Sequence, residues 1–287
     1  MNNKSPLSHR EQEPENGVLY IVGTPIGNLS DISSRALNIL NNAYLIACED
    51  TRTTKIIMSK FNLKNKLISF NMHNSTQKSP QIIDYLRNGN SIALVCDAGL
   101  PGICDPGEEL IKNAKQNQID VICIPGPCAA LTALVASGLP SSKFIFEGFL
   151  PKKKKDREKA ILDISNNEKT TILYEAPHRL KQLLKELKEF CGGEREIQIS
   201  RELTKKFEEN IGPNINSAID FFDKNRVIGE FTIVIRGIKK VNSNSFNDTR
   251  IKHDLHELVK AGLSLSSAAK YLAKKEKITK SIIYDLY

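Results

Sequence analysis

The chain has 287 residues, of which 40% are hydrophobic and 26% are charged. This length allows one to three domains, and the composition is that of a globular protein with a sizeable core. The formal net charge is +8, and residues 239–287 alone hold ten Lys or Arg against five Asp or Glu. A basic balance favours acidic partners, of which RNA, DNA and anionic membrane surfaces are the common ones.

The six cysteines form no C-x-x-C pair and have no nearby His at metal-ligand spacing. They predict reduced thiols packed in a cytoplasmic protein, and no metal is expected. Residues 1–16 are polar, without a following apolar signal-peptide core, and are expected to form a disordered arm. Residues 121–142 are uncharged over 22 positions, but Pro125-Gly126-Pro127 interrupts them. A buried strand that turns into a buried helix is therefore preferred to a membrane span.

The first half of the chain alternates short apolar strands with helical patterns. Strands are predicted near 18–22, 44–48, 67–70, 91–96 and 121–124, and helices near 31–41, 78–88 and from 128 to about 138. Another helix is predicted to begin at Asp105-Pro106, because a capping residue and a proline precede Glu108 and Glu109. Nearly continuous apolar strands in this rhythm predict an α/β domain over 17–146, with a parallel sheet covered on both faces.

The second predicted domain covers 147–237, and it opens with a predicted linker, EGFLPKKKKDREK, at 147–159. Its strands are predicted near 170–175, 196–201 and 231–236, with a helix around 178–190. Residues 238–249 are rich in Asn and Ser and predict a tether. Residues 250–287 show three short helical patterns that resemble a helix-turn-helix unit.

Four unusual loops follow predicted strands of the first domain. They are TPIGN at 24–28, CEDTR at 48–52, DAGLPGICDPG at 97–107 and PGPCAA at 125–130. Ligands of parallel sheets bind outside the carboxyl ends of the strands, so these loops predict one site. Glycine lets a ligand approach the backbone and proline stiffens the loop, which suits a polar ligand of adenosine size. The alternatives are a tight turn before a helix at 97–107 and close helix–sheet packing at 125–130. No P-loop motif and no G-x-G-x-x-G after the first strand occurs, which argues against a P-loop nucleotidase.

Polar residues at other strand ends are further candidates. Glu49-Asp50-Thr51-Arg52 could bind substrate or act on protons, or could form a surface turn in which Asp50 caps a helix. His73-Asn74 follows the third strand, although a lone histidine is commonly structural or merely exposed. The run Lys152, Lys153, Lys154 and Lys155 could contact phosphates or could be a solvated face.

Seven stretches, taken in order, carry a family resemblance. They are LYIVGTPIGNLSDISSRAL, ACEDTRTT, LVCDAGLPGICDPG, IPGPCAALTALVASGLP, FEGFLPKK, LYEAPHRL and SRELTKKFEE. Over residues 17–237 they resemble the ribosomal RNA small-subunit methyltransferase I family, within the tetrapyrrole-methylase-like superfamily. The tail resembles the helix-turn-helix extension of that family. Each stretch alone would be weak, but TPIGNL, DAG-x-P…DPG and PGPCAA form a specific combination.

The resemblance implies two α/β domains, a parallel-sheet N-terminal one and a mixed-sheet C-terminal one, with the cofactor in the cleft between them. It implies a homodimeric enzyme that uses S-adenosylmethionine. The substrate would be the ribose 2′-hydroxyl of a cytidine in the decoding centre of 16S rRNA, within the small ribosomal subunit. The residues that it implies for cofactor binding are Pro25, Asp97, Ala98, Gly99, Leu100, Pro101, Ile103, Cys128, Ala129, Tyr174, Glu175, Phe231 and Thr232.

The sequence departs from the family at two points. Asn71 stands where the family often has the first His of H-x-H-N, so His73 and Asn74 remain as the RNA-binding candidates there. Leu100 stands where the family often has Thr or Met, which changes little if backbone groups bind the cofactor.

A ribose hydroxyl is a poor nucleophile and benefits from a base or a nearby cation. The candidates for holding or activating it are Arg52, Glu49, Arg201 and Glu202, and the sequence does not choose among them. The lysine run and the basic tail would contact RNA phosphates. Two other functions stay open: a methylase of a small tetrapyrrole-like molecule and a non-catalytic RNA-binding module. The basic tail and the TPIGN and CEDTR loops argue against the first, and a pure RNA-binding module need not bind S-adenosylmethionine.

Overall fold

The structure is a computed structural model and describes residues 12–238, 248–276 and 278–287. Most of the predicted arm and most of the predicted tether lie outside the described residues. The chain divides into two compact units, of which the first ends at Ala129 and the second begins at Ala130. The predicted division after residue 146 falls within the second unit.

A five-stranded sheet forms the centre of the first unit. Its strands are β1 (Leu19–Val22), β2 (Leu45–Cys48), β3 (Leu67–Ser69), β4 (Ile92–Val95) and β5 (Val121–Ile124). All neighbours are parallel, in the order β3-β2-β4-β1-β5. The predicted parallel sheet is therefore confirmed, and each strand lies within one or two residues of its predicted position.

Helices cover both faces of this sheet. They are α1 (Ser34–Asn42), α2 (Thr51–Lys60), α3 (Ser75–Arg87) and α4 (Glu108–Gln116), and α5 (Ala129–Ala136) begins at the division between the units. Successive side chains of a strand point to opposite faces. Tyr20 and Val22 accordingly pack with α1 and α2, whereas Leu19 and Ile21 pack with α3 and α4. Because both faces are buried at the central strands β1, β2 and β4, these strands are apolar throughout, which made them recognisable in the sequence.

The structure corrects the predicted start of one helix and confirms the strand and helix expected in the uncharged stretch. The helix after the fourth strand begins at Glu108 with Gly107 at the N-cap, and not at Asp105 as predicted. Asp105 does not cap because its carboxyl is turned to the Cys96 thiol. The uncharged stretch 121–142 contains β5 and the eight-residue α5. Within the described ranges, no helix has the length and apolarity that a bilayer crossing requires.

A mixed sheet forms the centre of the second unit, as the resemblance implied. Its strands are β6 (Phe144–Phe149), β7 (Thr170–Glu175), β8 (Ile197–Arg201), β9 (Glu209–Ile211) and β10 (Phe231–Ile235). Their order is β6-β7-β10-β8-β9, and β6–β7 is the parallel pair while the other neighbours are antiparallel. The sequence did not predict β6 or β9. The register of β6 shifts between Phe146 and Gly148, which interrupts its alternation, and β9 has three residues.

Helices cover one face of the second sheet and form the tail. They are α6 (Lys154–Asn166), α7 (Pro177–Cys191), α8 (Ile215–Lys224), α9 (Asp248–Lys260), α10 (Leu265–Glu276) and α11 (Lys280–Asp285). The core between α6, α7, α8 and the sheet is apolar and includes Leu173, Ile199 and Ile233. The lysine run was predicted as part of a linker, but Lys153 is the N-cap of α6 and Lys154 and Lys155 lie in the first turn of that helix.

The tail has the three helices that the sequence predicted, and its last helix is attached to the second unit. α11 packs against α6 and α7. The Lys280 side chain is 3% exposed and its Nζ lies 3.2 Å from Glu158 Oε1 and 3.3 Å from Glu189 Oε1. The same ammonium lies 4.2 Å from the centroid of the Phe190 ring. In a DNA-binding helix-turn-helix, the second helix lies in the major groove. Here α11, the second helix of the α10–α11 pair, packs against α6 and α7 of the same chain.

Candidate functional site

The loops after β1, β4 and β5 meet at the carboxyl edge of the first sheet. Thr24 and Gly99 exchange two backbone hydrogen bonds, of 2.8 Å from the Thr24 N–H and 3.1 Å from the Gly99 N–H. A Cβ on Gly126 would lie 2.7 Å from the Cα of Gly23. Any other residue at either glycine would separate these two loops, so backbone is packed directly against backbone. The predicted convergence of the unusual loops on one edge is therefore observed.

The loop at 97–107 has the conformation that its composition predicted. Gly99, Gly102 and Gly107 have φ values of 83°, 85° and 146°, which other residues rarely adopt. Ala98 and Ile103 are exposed, and Gly99, Pro101 and Pro25 of the neighbouring TPIGN loop are buried. Leu100, Cys128 and Ala129 are half-buried. The loops form a thin wall of small and apolar residues at the edge of the sheet.

Carboxyl groups line the same edge. The Asp97 N–H donates to Glu49 Oε2 at 3.3 Å, and the Asp50 N–H donates to Asp97 Oδ1 at 3.2 Å. Desolvation raises the pKa of Glu49, with repulsion from the neighbouring carboxylates adding to it and the Asp97 N–H opposing it. Desolvation likewise raises the pKa of Asp97 and of Asp105. Carboxyl groups with raised pKa values can exchange protons closer to neutral pH than ordinary ones.

Arg52 lies at the surface beside this group of carboxyls. Its side chain is 89% exposed, and it makes a two-pronged ion pair with Asp50, in which Nη2 lies 2.6 Å from Oδ2. The hydrogen bonds from Arg52 lower the pKa of Asp50 to about 2. Asp50 also caps α2, because its Oδ1 accepts the Arg52 N–H at 2.8 Å. The capping alternative for Asp50 is confirmed, and Arg52 remains available at the surface for an anion.

His73 and Asn74 follow β3 at the same edge. Asn74 holds the loop, since its Oδ1 accepts the Asn71 N–H at 2.8 Å and its Nδ2 donates to the Ser69 carbonyl at 3.3 Å. The His73 side chain is exposed. The structure therefore supports a local role for Asn74 and leaves His73 accessible to a partner.

One end of the second sheet gathers the other predicted residues, but on two faces. Tyr174 pairs with Thr232 and Glu175 pairs with Phe231 across β7 and β10. Tyr174 and Thr232 therefore share one face, and Glu175 and Phe231 share the face that the helices cover. The Tyr174 hydroxyl accepts the Ala130 N–H at 3.2 Å. The resemblance assigned both Tyr174 and Glu175, and both Phe231 and Thr232, to the cofactor. Because side chains alternate along a strand, the two members of each pair lie on opposite faces of the sheet.

Glu175 is neutralised in the interior. Its side chain is fully buried, and its Oε1 and Oε2 lie 3.3 Å from Arg179 Nε and Arg157 Nη2 respectively. The Ala176 N–H donates to Oε1 at 3.0 Å. Arg157 is 6% exposed and also pairs with Glu186 at 2.8 Å. A carboxylate with these partners connects β7 to α6 and α7, and its side chain is not left for a ligand.

Arg201 and Glu202 also differ from each other. Glu202 Oε1 accepts from Lys205 Nζ at 3.0 Å and from the Glu230 N–H at 2.9 Å. Desolvation opposes ionisation, but these hydrogen bonds outweigh it and lower the pKa of Glu202, which makes it a poor base. Arg201 Nη1 lies 3.3 Å from Glu209 Oε2. Its Nε is buried without a hydrogen-bond partner among the described residues.

Comparison with known proteins identifies the family. The family model of the Tetrapyrrole (Corrin/Porphyrin) Methylases matches residues 18–216. The chain belongs to this family. Proteins named ribosomal RNA small subunit methyltransferase I are similar over nearly their whole length. The protein from Synechocystis is 41% identical over 94% of this chain and 97% of its own, and that from Vibrio cholerae is 42% identical over 93% of each. The predicted membership of that methyltransferase group is thereby confirmed.

Solved structures of other proteins share the fold. Uroporphyrin-III-C-methyltransferase from Thermus thermophilus has a TM-score of 0.54 at 18% identity, and covers 77% of this chain and 94% of its own. Diphthine synthase has a TM-score of 0.58 at 14% identity, over 76% and 90%. At these identities the likeness shows the fold alone.

Sequence reasoning missed two features of this methylase. Asp105 was expected to cap a helix, and instead joins the carboxyls at the sheet edge; its place beside Asp97 in one loop was the available signal. Phe207 is 70% exposed beside Arg201, within the quoted stretch SRELTKKFEE. Lys152, Lys153, Lys154 and Lys155 are all exposed, as both of their interpretations required. Among the described residues, no group of His, Cys, Asp and Glu could hold a metal ion.

Proposed function

We propose that this methyltransferase moves a methyl group from S-adenosylmethionine to the ribose 2′-hydroxyl of a cytidine in the decoding centre of 16S rRNA. The observation that carries the proposal is the identity of about 40% with proteins named ribosomal RNA small subunit methyltransferase I, over more than nine-tenths of both chains. A cytoplasmic homodimer acting on the small ribosomal subunit belongs to the same proposal. The exposed lysine run supports the RNA substrate, and the six cysteines, none of which forms a disulfide bond, support the cytoplasm.

The residues at the carboxyl edge of the first sheet fit the cofactor. The wall from Asp97 to Ile103 is thin, and the contact of Gly23 with Gly126 leaves no side chain at that point. Half-buried Glu49 and Asp97 place negative charge there, which complements a sulfonium and an ammonium group. S-adenosylmethionine, when bound, supplies an electrophilic methyl group. The protein's task is then to position the ribose oxygen and to take its proton.

Glu49 is the best candidate for the group that takes the proton. Its carboxyl has a raised pKa and lies at the edge where the loops meet. Arg52, exposed and close by in the chain, is suited to hold a phosphate beside the target ribose. Glu202 is less suited to a proton transfer, because its pKa is lowered and its carboxylate is occupied by Lys205.

Tritium transfer from labelled S-adenosylmethionine tests the proposal directly. The substrates are purified small ribosomal subunits, free 16S rRNA and a tetrapyrrole precursor, each offered alone. We expect label in the RNA of the subunits, mapped to a ribose 2′-oxygen of a cytidine. Label on the tetrapyrrole alone would overturn the proposal in favour of a small-molecule methylase. Absence of both label and cofactor binding would favour the RNA-binding module.

A further inference from the structure

A cavity of about 680 Å³ lies beside Arg201 at the end of the second sheet, open to solvent. This volume is in the range of small-ligand sites, about 300–1,000 Å³. It combines apolar and charged walls, and its lining residues are Arg201, Glu202, Lys206, Phe207, Glu208, Glu209, Ile228 and Gly229.

The apolar part of the wall is an exposed ring and an exposed aliphatic side chain. Phe207 is 70% exposed and Ile228 is 57% exposed, although both are among the residues that proteins commonly bury. Lys206 Nζ lies 5.5 Å from the centroid of the Phe207 ring. An aromatic face with a cation near it is the arrangement on which proteins stack the bases of single-stranded nucleic acids.

The loop that carries Phe207 is held rigidly. The Thr204 N–H donates to Glu208 Oε2 at 2.6 Å, and the Glu208 N–H donates to the Lys205 carbonyl at 3.1 Å. Glu202 and Thr204 have positive φ values of 54° and 65°, and such a value is unfavourable for a β-branched residue. Strained backbone of this kind concentrates at functional sites. The exposed position of Phe207 is therefore imposed by the loop and does not result from fraying.

The polar part of the wall offers both donors and acceptors. Arg201 has a buried Nε without a hydrogen-bond partner among the described residues, and a single long contact of 3.3 Å to Glu209. Glu208 and Glu209 add carboxylate acceptors. The lining holds two cations and three carboxylates, which disfavours a phosphate. It suits the edge of a cytosine, whose carbonyl and ring nitrogen accept hydrogen bonds and whose amino group donates them.

We propose that this cavity binds a cytosine base of the substrate RNA, stacked on Phe207 with its polar edge toward Arg201 and the neighbouring glutamates. The inference rests on the proposed function for the identity of the RNA, and it names a part of the second unit that would recognise that RNA. Arg201, one of the four candidates for the reaction itself, would then bind the base.

Binding of small ribosomal subunits in the absence of methyl donor tests the cavity separately from the reaction. We expect Phe207→Ala to weaken this binding about 5- to 150-fold, the range that one stacked base contributes. Phe207→Tyr keeps an aromatic face and should bind within about twofold of the original, whereas Phe207→Leu should resemble Phe207→Ala. Phe144→Ala is the matched control, because Phe144 is an exposed phenylalanine at the other end of the same sheet. S-adenosylmethionine affinity should be unchanged in all four variants.

Three results would overturn the base site. The first is that Phe207→Ala binds subunits as tightly as the original protein does. The second is that Phe207→Ala and Phe144→Ala lose the same amount of subunit affinity. The third is that Phe207→Ala changes its oligomeric state in a sedimentation experiment. The last would mean that a second copy of the chain covers the ring. If subunit binding depends on Phe207 but no methyl group is transferred, the proposed reaction fails and the base site stands. If methyl transfer occurs but Phe207→Ala binds subunits normally, the proposed reaction stands and the base site fails.

Discussion

The two sheets carry acidic residues at comparable strand ends, yet the surroundings of these residues differ. Glu49 and Asp97 follow β2 and β4, and their pKa values are raised by desolvation and, to a smaller extent, by repulsion from neighbouring carboxylates. Glu175 ends β7 and lies between Arg157 and Arg179. The same residue type at the same kind of position is thus suited to proton transfer in one unit and attaches helices to a sheet in the other. The partners of the carboxyl decide its role: Asp97 is 48 residues from Glu49, whereas Glu175 pairs with Arg157, 18 residues away, and with Arg179, four residues away.

Replacing Glu49 is expected to have the largest effect. Glu49→Gln keeps the acceptor for the Asp97 N–H but cannot take a proton, so kcat for methyl transfer should fall about 10²- to 10⁴-fold. S-adenosylmethionine binding, measured by calorimetry, should change far less than kcat. Glu108→Gln is the control, since Glu108 is an exposed acid in the first turn of α4. Full activity of Glu49→Gln would show that Glu49 does not take the proton, and the proposed functional difference between Glu49 and Glu175 would be wrong.

Replacing Glu175 should affect folding instead. Glu175→Ala leaves Arg157 buried with one partner fewer, which is expected to lower the free energy of unfolding by about 3–5 kcal/mol in urea titrations. Asp223→Ala breaks an exposed ion pair with Lys181 and should lower it by less than about 1 kcal/mol. Equal losses in the two variants would show that Glu175 is not the structural carboxylate described above.

The pH dependence of stability separates the two kinds of carboxyl further. A raised pKa means that the folded state of Asp97 holds its proton more tightly than the unfolded state, whose pKa is near 3.8. Its ionisation therefore costs folding stability as pH rises from about 4 through the raised folded value. Asp97→Asn keeps the acceptor for the Asp50 N–H and should be more stable than the original protein at pH 7, with the gain vanishing toward pH 3.

Urea unfolding at pH 3, 5 and 7 measures this effect. Asp84→Asn, on the exposed side of α3, is the control for replacing an aspartate by asparagine at the surface and should change the free energy of unfolding only slightly. A variant Asp97→Asn that is less stable than the original at pH 7 would contradict the raised pKa.

The smallest effects are expected from the exposed charges at the start of α6. Reversing the charge of Lys152–Lys155 should leave the free energy of unfolding nearly unchanged, because these side chains are solvated. It should weaken RNA binding. It should also make the slope of log binding constant against log salt concentration shallower, by about 0.7–0.9 for each phosphate that the variant no longer neutralises. Binding titrations at several salt concentrations measure this slope. An unchanged slope would mean that the lysine run is a solvated face.

The sequence predicted the elements of the first unit better than those of the second. The fully buried strands β1, β2 and β4 are apolar runs in the sequence and were found within one or two residues, as was the apolar but partly exposed edge strand β5. β6 was missed because Gly148 breaks its alternation, and β9 because three residues carry no usable pattern. α4 begins at Glu108, three residues after the predicted start. The Asp105 carboxyl interacts with the Cys96 thiol, and Gly107 takes the N-cap position.

The sequence by itself determined the strand–helix order, the glycine-rich loops at the carboxyl edge and, through its combination of motifs, the family. These are properties of local backbone preference and of residue order, which short stretches encode. Only the tertiary structure decided which candidates share a face and which carboxyls are neutralised. Glu175 and Tyr174 are adjacent in the chain but point to opposite sides of β7, and Glu202 is paired with a lysine that holds its pKa down. Glu175 has a local partner in Arg179, but folding supplies Arg157 and the burial, so the residues at the strand end alone do not separate Glu49 from Glu175.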